Sequence, residues 1–444
     1  MRQNYYNLLI MKRLFFVLAM LAAAIGMNAE NYPYRSDFLW VTNPDHADWL
    51  YKTGEKAIVE VQLYKYGVAV TGDIEYEIAP DMLDATSKGT AKVKNGKATI
   101  SVGTRTKPGF LDLRMTAVVD GMKTQHHVKV GYGVKDIVPF TKEPKDFEAF
   151  WEQTLKNMHA TPLKFSREYV EEYSDEKIDC WLVKLQIDKE HSMYGYLTMP
   201  KNAAKGACPA VLCPPGAGVK TIKEPLRHRY YAEAGMIRLE MEIHGLDPRM
   251  SEKLFKEINN AFNDRTNTYF VTGIENRDRY YMRHIYAGMV RCLDFLTSLP
   301  EWDGKNLAVQ GGSQGGALAL IAAGLDKRVT LCVANHPALT DMAAYSEKGR
   351  TGGYPHMHKI LDGFSAEVIN TLQYYDVINF CRHITCPVRM TWGYNDSTCP
   401  PTTSFAAWNT LKCEKEPFIT PINEHWTSET MERQHMEWIK NRLK

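Results

Sequence analysis

The chain has 444 residues, a formal net charge of +2, 44% apolar residues and 24% charged ones. That length exceeds one ordinary core and implies two domains, and the composition excludes a disordered chain. Near-neutral charge, with no stretch that concentrates Lys and Arg, excludes the electrostatic footprint of a nucleic-acid binder.

At the N-terminus, Lys12 and Arg13 precede the apolar run Leu14 to Ile25 and small residues ending at Ala29, the layout of a secretory signal. The run is too short to span a bilayer comfortably. Residues 1–29 are therefore expected to be a signal peptide, with Met11 the working start and cleavage near Ala29. The expected destination is the periplasm or the exterior; the alternatives are an anchor retained after export and a buried N-terminal helix.

Residues 30–134 read as short alternating runs broken by turn pairs: IVEVQLY, IEYEI, AKVKNGKATISV and LRMTAVVDGMKTQHHVKV. Asn95-Gly96 and Asp120-Gly121 fall at hairpin tips, where both central residues need positive φ. The expectation is an all-β sandwich of immunoglobulin-like size. No cysteine pair supports a true immunoglobulin domain, so this concerns architecture only.

From residue 135 the pattern changes. A linker leads to Pro144, expected to open a helix with Asp146 and Glu148 in its first turn. Beyond it, strand-like runs (CWLVKLQI, YGYLTMP, PAVLC, IRLEMEI, NLAVQ, TLCVAN, PVRMTW, PFITP) alternate with helical segments, notably Arg277 to Leu299 and Ala317 to Gly324. Residues 135–444 thus predict an α/β domain with a mostly parallel sheet covered on both faces. The polar and aromatic stretch Arg249 to Asp278 is long for a connection and reads as a lid over the site or as surface packing.

Between NLAVQ and the small-residue helix stands Gly-Gly-Ser-Gln-Gly-Gly, residues 311–316. A bare G-x-S-x-G arises by chance in roughly one chain in seven of this length, so context decides. Here it follows an apolar strand and opens a helix, the setting of a nucleophile elbow. Gly311 and Gly315 permit the turn, Gly316 and Ala317 keep the helix small against the sheet, and Ser313 is the candidate nucleophile. The alternative is a glycine-rich structural turn.

In such a fold the acid and then the histidine follow the serine. Only His425 and His435 lie late enough; His435 falls in an amphipathic terminal helix and reads as a surface or packing residue. His425, in a loop after PFITP, is the candidate base. Among the aspartates, Asp396 follows PVRMTW in a loop at the carboxyl end of a strand, where α/β sheets build their sites; Glu424 and Asp376 remain alternatives. Its non-catalytic role would be to cap the helix beginning near Thr402. The oxyanion donors expected are the backbone amides of Gln314 and of Ala217, the latter in CPPGAGVK after PAVLC.

The nine cysteines are an odd count, scattered in apolar runs, and do not form a disulfide framework; Cys386 with Cys399 is the one pairing left open. His356 and His358 lack a third ligand at a diagnostic spacing, so no metal is expected, nor any organic cofactor. Trp392, Tyr394 and Trp426 flank the proposed acid and base, as sugar-stacking faces or as plain core.

With these residues placed, the second domain resembles the acetyl xylan esterase and cephalosporin C deacetylase family, carbohydrate esterase family seven. The resemblance runs from about Pro144 to the C-terminus through DFEAFWEQTL, YYMRHIYAGMVRCLDFL, GGSQGG and YDVINFCRHITCPVRMTWGYNDSTCPP. It implies an α/β-hydrolase fold that removes acetyl groups from sugars, often within a closed homo-oligomer. The chain departs from the family at His244-Gly245-Leu246, at Pro215-Gly216-Ala217 and at His425-Trp426, which puts substrate preference and assembly in doubt. The expected function is an exported serine esterase acting on acetylated oligosaccharides. Its rivals are a serine peptidase of the prolyl oligopeptidase type and a non-catalytic carbohydrate-binding protein.

Overall fold

The structure, a computed structural model, describes residues 37–262 and 269–444. The expected signal peptide and its start at Met11 lie outside the described residues. No helix among the described residues is long and apolar enough to cross a membrane.

Among the described residues, the first part of the chain contributes nine strands: β1 (Phe38–Pro44), β2 (Leu50–Tyr51), β3 (Ala57–Lys65), β4 (Val68–Ala69), β5 (Gly72–Pro80), β6 (Ser87–Val93), β7 (Lys97–Gly103), β8 (Gly109–Val119) and β9 (Met122–Tyr132). They form a four-stranded sheet, in which β3 pairs with β1, β4 and β7, and a five-stranded sheet in the order β2-β9-β8-β5-β6. Alternation explains the layering. Val59, Val61 and Leu63 of one sheet and Ile74, Leu113, Met115, Val128 and Val130 of the other share one apolar core, while the intervening side chains face outward.

Both turn pairs have positive φ, 49° and 78° at Asn95-Gly96 and 51° and 78° at Asp120-Gly121. The second closes the long β8–β9 hairpin. The first corrects the expectation: only Lys94 and Lys97 bridge across it, after which β6 joins the five-stranded sheet and β7 the four-stranded one. Turn chemistry is local, whereas sheet partners are chosen by distant residues.

The second part begins with α1 (Phe147–His159), which opens at Phe147 rather than at Pro144, with Asp146 at its N-cap. Its nine-stranded sheet comprises β10 (Lys164–Tyr169), β11 (Ile178–Gln186), β12 (Ser192–Pro200), β13 (Cys208–Cys213), β14 (Ile237–Glu242), β15 (Trp302–Gly312), β16 (Leu331–Asn335), β17 (Val388–Trp392) and β18 (Lys415–Ile419). Their spatial order is β10-β11-β12-β14-β13-β15-β16-β17-β18. The six from β14 to β18 run parallel, and β10, β11 and β12 form an antiparallel edge.

Seven further helices enter the description: α2 (Tyr230–Glu233), α3 (Glu252–Phe262), α4 (Met282–Ser298), α5 (Gln314–Leu325), α6 (Ala366–Tyr375), α7 (Val377–Cys381) and α8 (Pro401–Thr410), followed by the terminal α9 (Glu429–Lys440). Apolar residues of α4, α5, α7 and α8 bury one face of the sheet. Tyr230 and Tyr231 of α2 and Met436, Trp438 and Ile439 of α9 cover Val211, Ala308 and Val333 on the other. Strands enclosed on both sides read as continuous apolar runs, which is why they were visible in the sequence. The nine cysteines are all free thiols, so Cys386 and Cys399 are not bridged.

The two parts are joined by a buried charge. Lys129 of β9 and Asp81 are 0% and 1% exposed, and Lys129 Nζ lies 2.8 Å from Asp81 Oδ1. Lys129 Nζ also donates to the backbone carbonyl of Asp396 at 2.7 Å, and its backbone N–H donates to Asn395 Oδ1 at 2.9 Å. The Thr402 hydroxyl completes the cluster by donating to Asp81 Oδ2 at 2.7 Å. Removing one member of a buried pair strands the other charge, at a cost of about 3 to 5 kcal/mol, whereas replacing both with apolar groups is often neutral. Lys129→Met should therefore lower the denaturant midpoint strongly, and Lys129→Met with Asp81→Leu should recover most of the loss; equal stability of the single variant and the parent in urea melts would refute this.

Candidate active site

Ser313 stands between β15 and α5 with φ 58° and ψ −122°. A non-glycine residue held there costs on the order of 1 to 3 kcal/mol and persists only if its surroundings enforce it. They do: the Ser313 N–H donates to the Asn335 carbonyl of β16 at 3.0 Å, and its own carbonyl accepts from Ala338 and Ala317, each at 3.0 Å.

The glycines are required by contact. A Cβ on Gly311 would sit 2.3 Å from the Gly315 backbone, one on Gly315 2.4 Å from the Pro214 carbonyl, and one on Gly316 2.7 Å from the Asn335 carbonyl. Strand, turn, helix and the loop after β13 thus touch backbone to backbone. Gly315→Ala should destabilise the protein by about 1 to 3 kcal/mol through overpacking, read from the guanidinium midpoint; an unchanged midpoint would show that the loop yields freely.

The loop after β17 carries Asp396 and the loop after β18 carries His425, both at carboxyl ends of parallel strands. His425 Nε2 lies 3.0 Å from Ser313 Oγ, and His425 Nδ1 lies 2.8 Å from Asp396 Oδ2. Asp396 is fully buried, and its Oδ1 accepts the backbone N–H groups of Thr398 and Cys399 at 2.7 and 2.8 Å, leaving Oδ2 to the imidazole. It does not cap α8, whose N-cap is Pro400.

The ring of His336 packs 4.4 Å from that of His425. Burial, with the neighbouring His425, pushes His336 down to about 4, so it stays neutral and does not oppose a charged His425. Burial also pushes the Cys399 thiol, which hydrogen-bonds Ser313, far up, keeping it protonated beside the serine.

The loop after β13 reaches the elbow through Pro214 and Pro215, and Gly216 approaches Gly312. Gln314 is buried, and its side-chain Oε1 accepts from the Tyr269 hydroxyl at 2.6 Å, while that hydroxyl accepts the Gly218 N–H at 3.0 Å. Tyr269 therefore yokes the loop holding Ala217 to the residue after Ser313. It comes from the long segment Arg249 to Asp278, which the sequence offered as a lid over the site or as surface packing without singling out Tyr269.

The other candidates separate clearly. Asp376 accepts the N–H groups of Asp341, Met342 and Ile378 and braces a different loop. Glu424 points at His127, 3.8 Å away. His435 is fully buried, packed on Phe418 and near Thr391, not at the surface. Trp392 and Tyr394 are core residues, while Trp426, next to His425, is 47% exposed. His356 hydrogen-bonds Tyr345, and among the described residues no three metal-ligating side chains converge.

The first part of the chain also touches the histidine loop. His127 Nδ1 lies 3.0 Å from Asp112 Oδ1, and its Nε2 faces Glu424. Burial opposes its charge and Lys129 repels it, yet hydrogen bonds to Asp112 and Glu424 prevail and push it up to about 9. Its folded value exceeds the ordinary 6.5, so its stabilisation is full below that pH and is lost as pH rises through about 9. The difference in thermal midpoint between the parent and His127→Gln should be constant in mild acid and vanish above pH 9; a gap independent of pH would contradict the assignment.

Comparison with known proteins is consistent with this architecture. The family model described as acetyl xylan esterase (AXE1) matches residues 133–442. The acetyl esterase Axe7A of Xylanibacter ruminicola is 56% identical over 431 residues, spanning 97% of this chain and 96% of that protein. Among solved structures, the acetyl xylan esterase from Paenibacillus sp. R4 superposes with a TM-score of 0.61 at 27% identity, covering 70% of this chain and 98% of its own. Acetyl xylan esterase 1 from Thermoanaerobacterium sp. JW/SL YS485, at 22% identity, shares the fold with a TM-score of 0.59 over 69% of this chain and 97% of its own. The chain belongs to the acetyl xylan esterase family and is a carboxylic ester hydrolase built on the α/β-hydrolase fold.

Proposed function

We propose that this chain is an exported serine esterase that removes acetyl groups from acetylated xylo-oligosaccharides or related sugars. The observation that carries the mechanism is the contact series Ser313 Oγ, His425 Nε2, His425 Nδ1 and Asp396 Oδ2, at 3.0 and 2.8 Å. The names of its relatives, which act as acetyl esterases and acetyl xylan esterases, support the substrate class. Export rests on the N-terminal pattern alone. The two N-terminal β-sheets are read as an immunoglobulin-like sandwich, residues 30–134, preceding a catalytic domain from 135 to 444.

With the Nδ1 proton held by Asp396, His425 Nε2 accepts the Ser313 proton as Oγ attacks the acetyl carbonyl. The tetrahedral oxyanion is held by the backbone N–H groups of Gln314 and Ala217. His425 then protonates the departing sugar hydroxyl, leaving acetyl on Ser313. Water, deprotonated by the same imidazole, attacks this ester, and acetate leaves as the proton returns to Ser313. The carboxylate of Asp396 stabilises the imidazolium at both stages, and no metal enters any step. Self-association, implied by the family resemblance, belongs to the same proposal and is read by light scattering.

Ser313→Ala should lower kcat on acetylated xylo-oligosaccharides by at least roughly three orders of magnitude with little change in stability. The parent should cleave p-nitrophenyl acetate faster than longer acyl esters and leave a peptide nitroanilide intact. Cleavage of the peptide, or acetate release that survives in Ser313→Ala, would overturn the reading.

A further inference from the structure

The outer face of the five-stranded sheet forms a groove of about 880 Å³, within the size range of ligand sites. Its floor is two polar rows crossing β6, β5, β8 and β9. One row runs Lys88, Glu77, Arg114, His127, and the other Thr90, Glu75, Thr116, Gln125, each residue directly opposite the next. The face is walled at one end because Asp112 and Lys129, farther along it, are buried at the junction with the loop that carries Asp396. The wall residue lining the groove is Glu424, the immediate chain neighbour of His425. A row spans three interstrand steps, roughly 14 Å, and leads from the free edge of the sheet to the histidine loop.

We propose that this groove is a binding subsite for the neutral sugar chain of the substrate, holding pyranose units beyond the one that carries the acetyl group. The proposal rests on the acetyl-sugar reading of the active site. A solvent-facing sheet is ordinarily polar, so polarity alone says little; what distinguishes this face is the wall at one end and its continuity with the loop that carries His425. The lining mixes donors and acceptors, with Lys88, Arg114, Lys123 and His127 largely offset by Glu75, Glu77 and Glu424. A balanced array of this kind suits uncharged hydroxyls. The three carboxylates disfavour a nucleic-acid phosphate backbone, and the rows lack the apolar and aromatic anchors that protein interfaces concentrate at their centres. Trp426, two residues after Glu424 and next to His425, is exposed and offers an aromatic face for a sugar ring.

The test uses the full chain on acetylated xylo-oligosaccharides of increasing length and on p-nitrophenyl acetate. Thr116→Trp fills the middle of the groove with a residue that strands accept readily, and Lys88→Ala with Gln125→Ala removes hydrogen-bonding groups without bulk. The parent should show kcat/KM rising with chain length. Both variants should flatten that rise, with KM for the longest chains up by about ten-fold, as expected for losing a pair of hydrogen bonds, and p-nitrophenyl acetate turnover unchanged. If Thr116→Trp does not fold, which its p-nitrophenyl acetate rate reveals, the double variant decides. Length-independent kcat/KM in the parent, or an unaltered length dependence in the folded variants, would overturn the subsite while leaving the esterase reading intact. A parent that hydrolyses p-nitrophenyl acetate but no acetylated sugar would overturn the function reading itself, and the subsite with it.

Discussion

A serine hydroxyl can be raised above the edge of a sheet only if the backbone turns through a conformation that side chains resist. Here the turn is enforced by backbone contacts that no Cβ could enter, between Gly311 and Gly315, Gly315 and Pro214, and Gly316 and Asn335. Those contacts fix the start of α5 relative to β15 and β16 and bring the loop after β13 against the elbow. Every later feature of the site is measured from that point: the loop after β18, three places beyond β15 in the sheet, brings the imidazole to the serine, and the Tyr269 hydroxyl meets Gln314 because the helix begins where it does.

The acid is held differently. Its loop is anchored from outside the hydrolase sheet, by a lysine of β9 and an aspartate just after β5 that are themselves almost without solvent contact. Because β9 also supplies His127 to the residue before His425, one strand of the N-terminal sheets touches both loops that complete the constellation around Ser313. The two parts of the chain are thus mechanically coupled at the site. Without the N-terminal strands, the carbonyl of Asp396 would lack its ammonium partner.

Ser313, Asp396 and His425 were legible in the sequence because each follows a run of buried strand residues, and a parallel sheet delivers such loops to one edge. The glycines were legible because their cost demands a reason. Lys129 was not legible: in the alternating run HVKV a lysine reads as the solvent side, and only the docking of a loop hundreds of residues away turns that side inward. The same holds for Asp81 and Tyr269, whose roles come from tertiary partners rather than from local pattern. Edge strand β10, nearly all exposed, carries no apolar period to find. Trp392 and Tyr394 were ambiguous for the opposite reason, since an aromatic beside a site loop has the same sequence signature whether it lines a pocket or fills a core.

The central claim is that acetyl passes through the oxygen of Ser313. Rapid mixing with p-nitrophenyl acetate, acid quenching during the first turnover and peptide mass mapping tests it directly. A burst of p-nitrophenol equal to the enzyme present is expected, with one acetyl group on the peptide containing Ser313 that decays as acetate appears. Acetyl found on another residue, or turnover at full rate with Ser313 never modified, would contradict it.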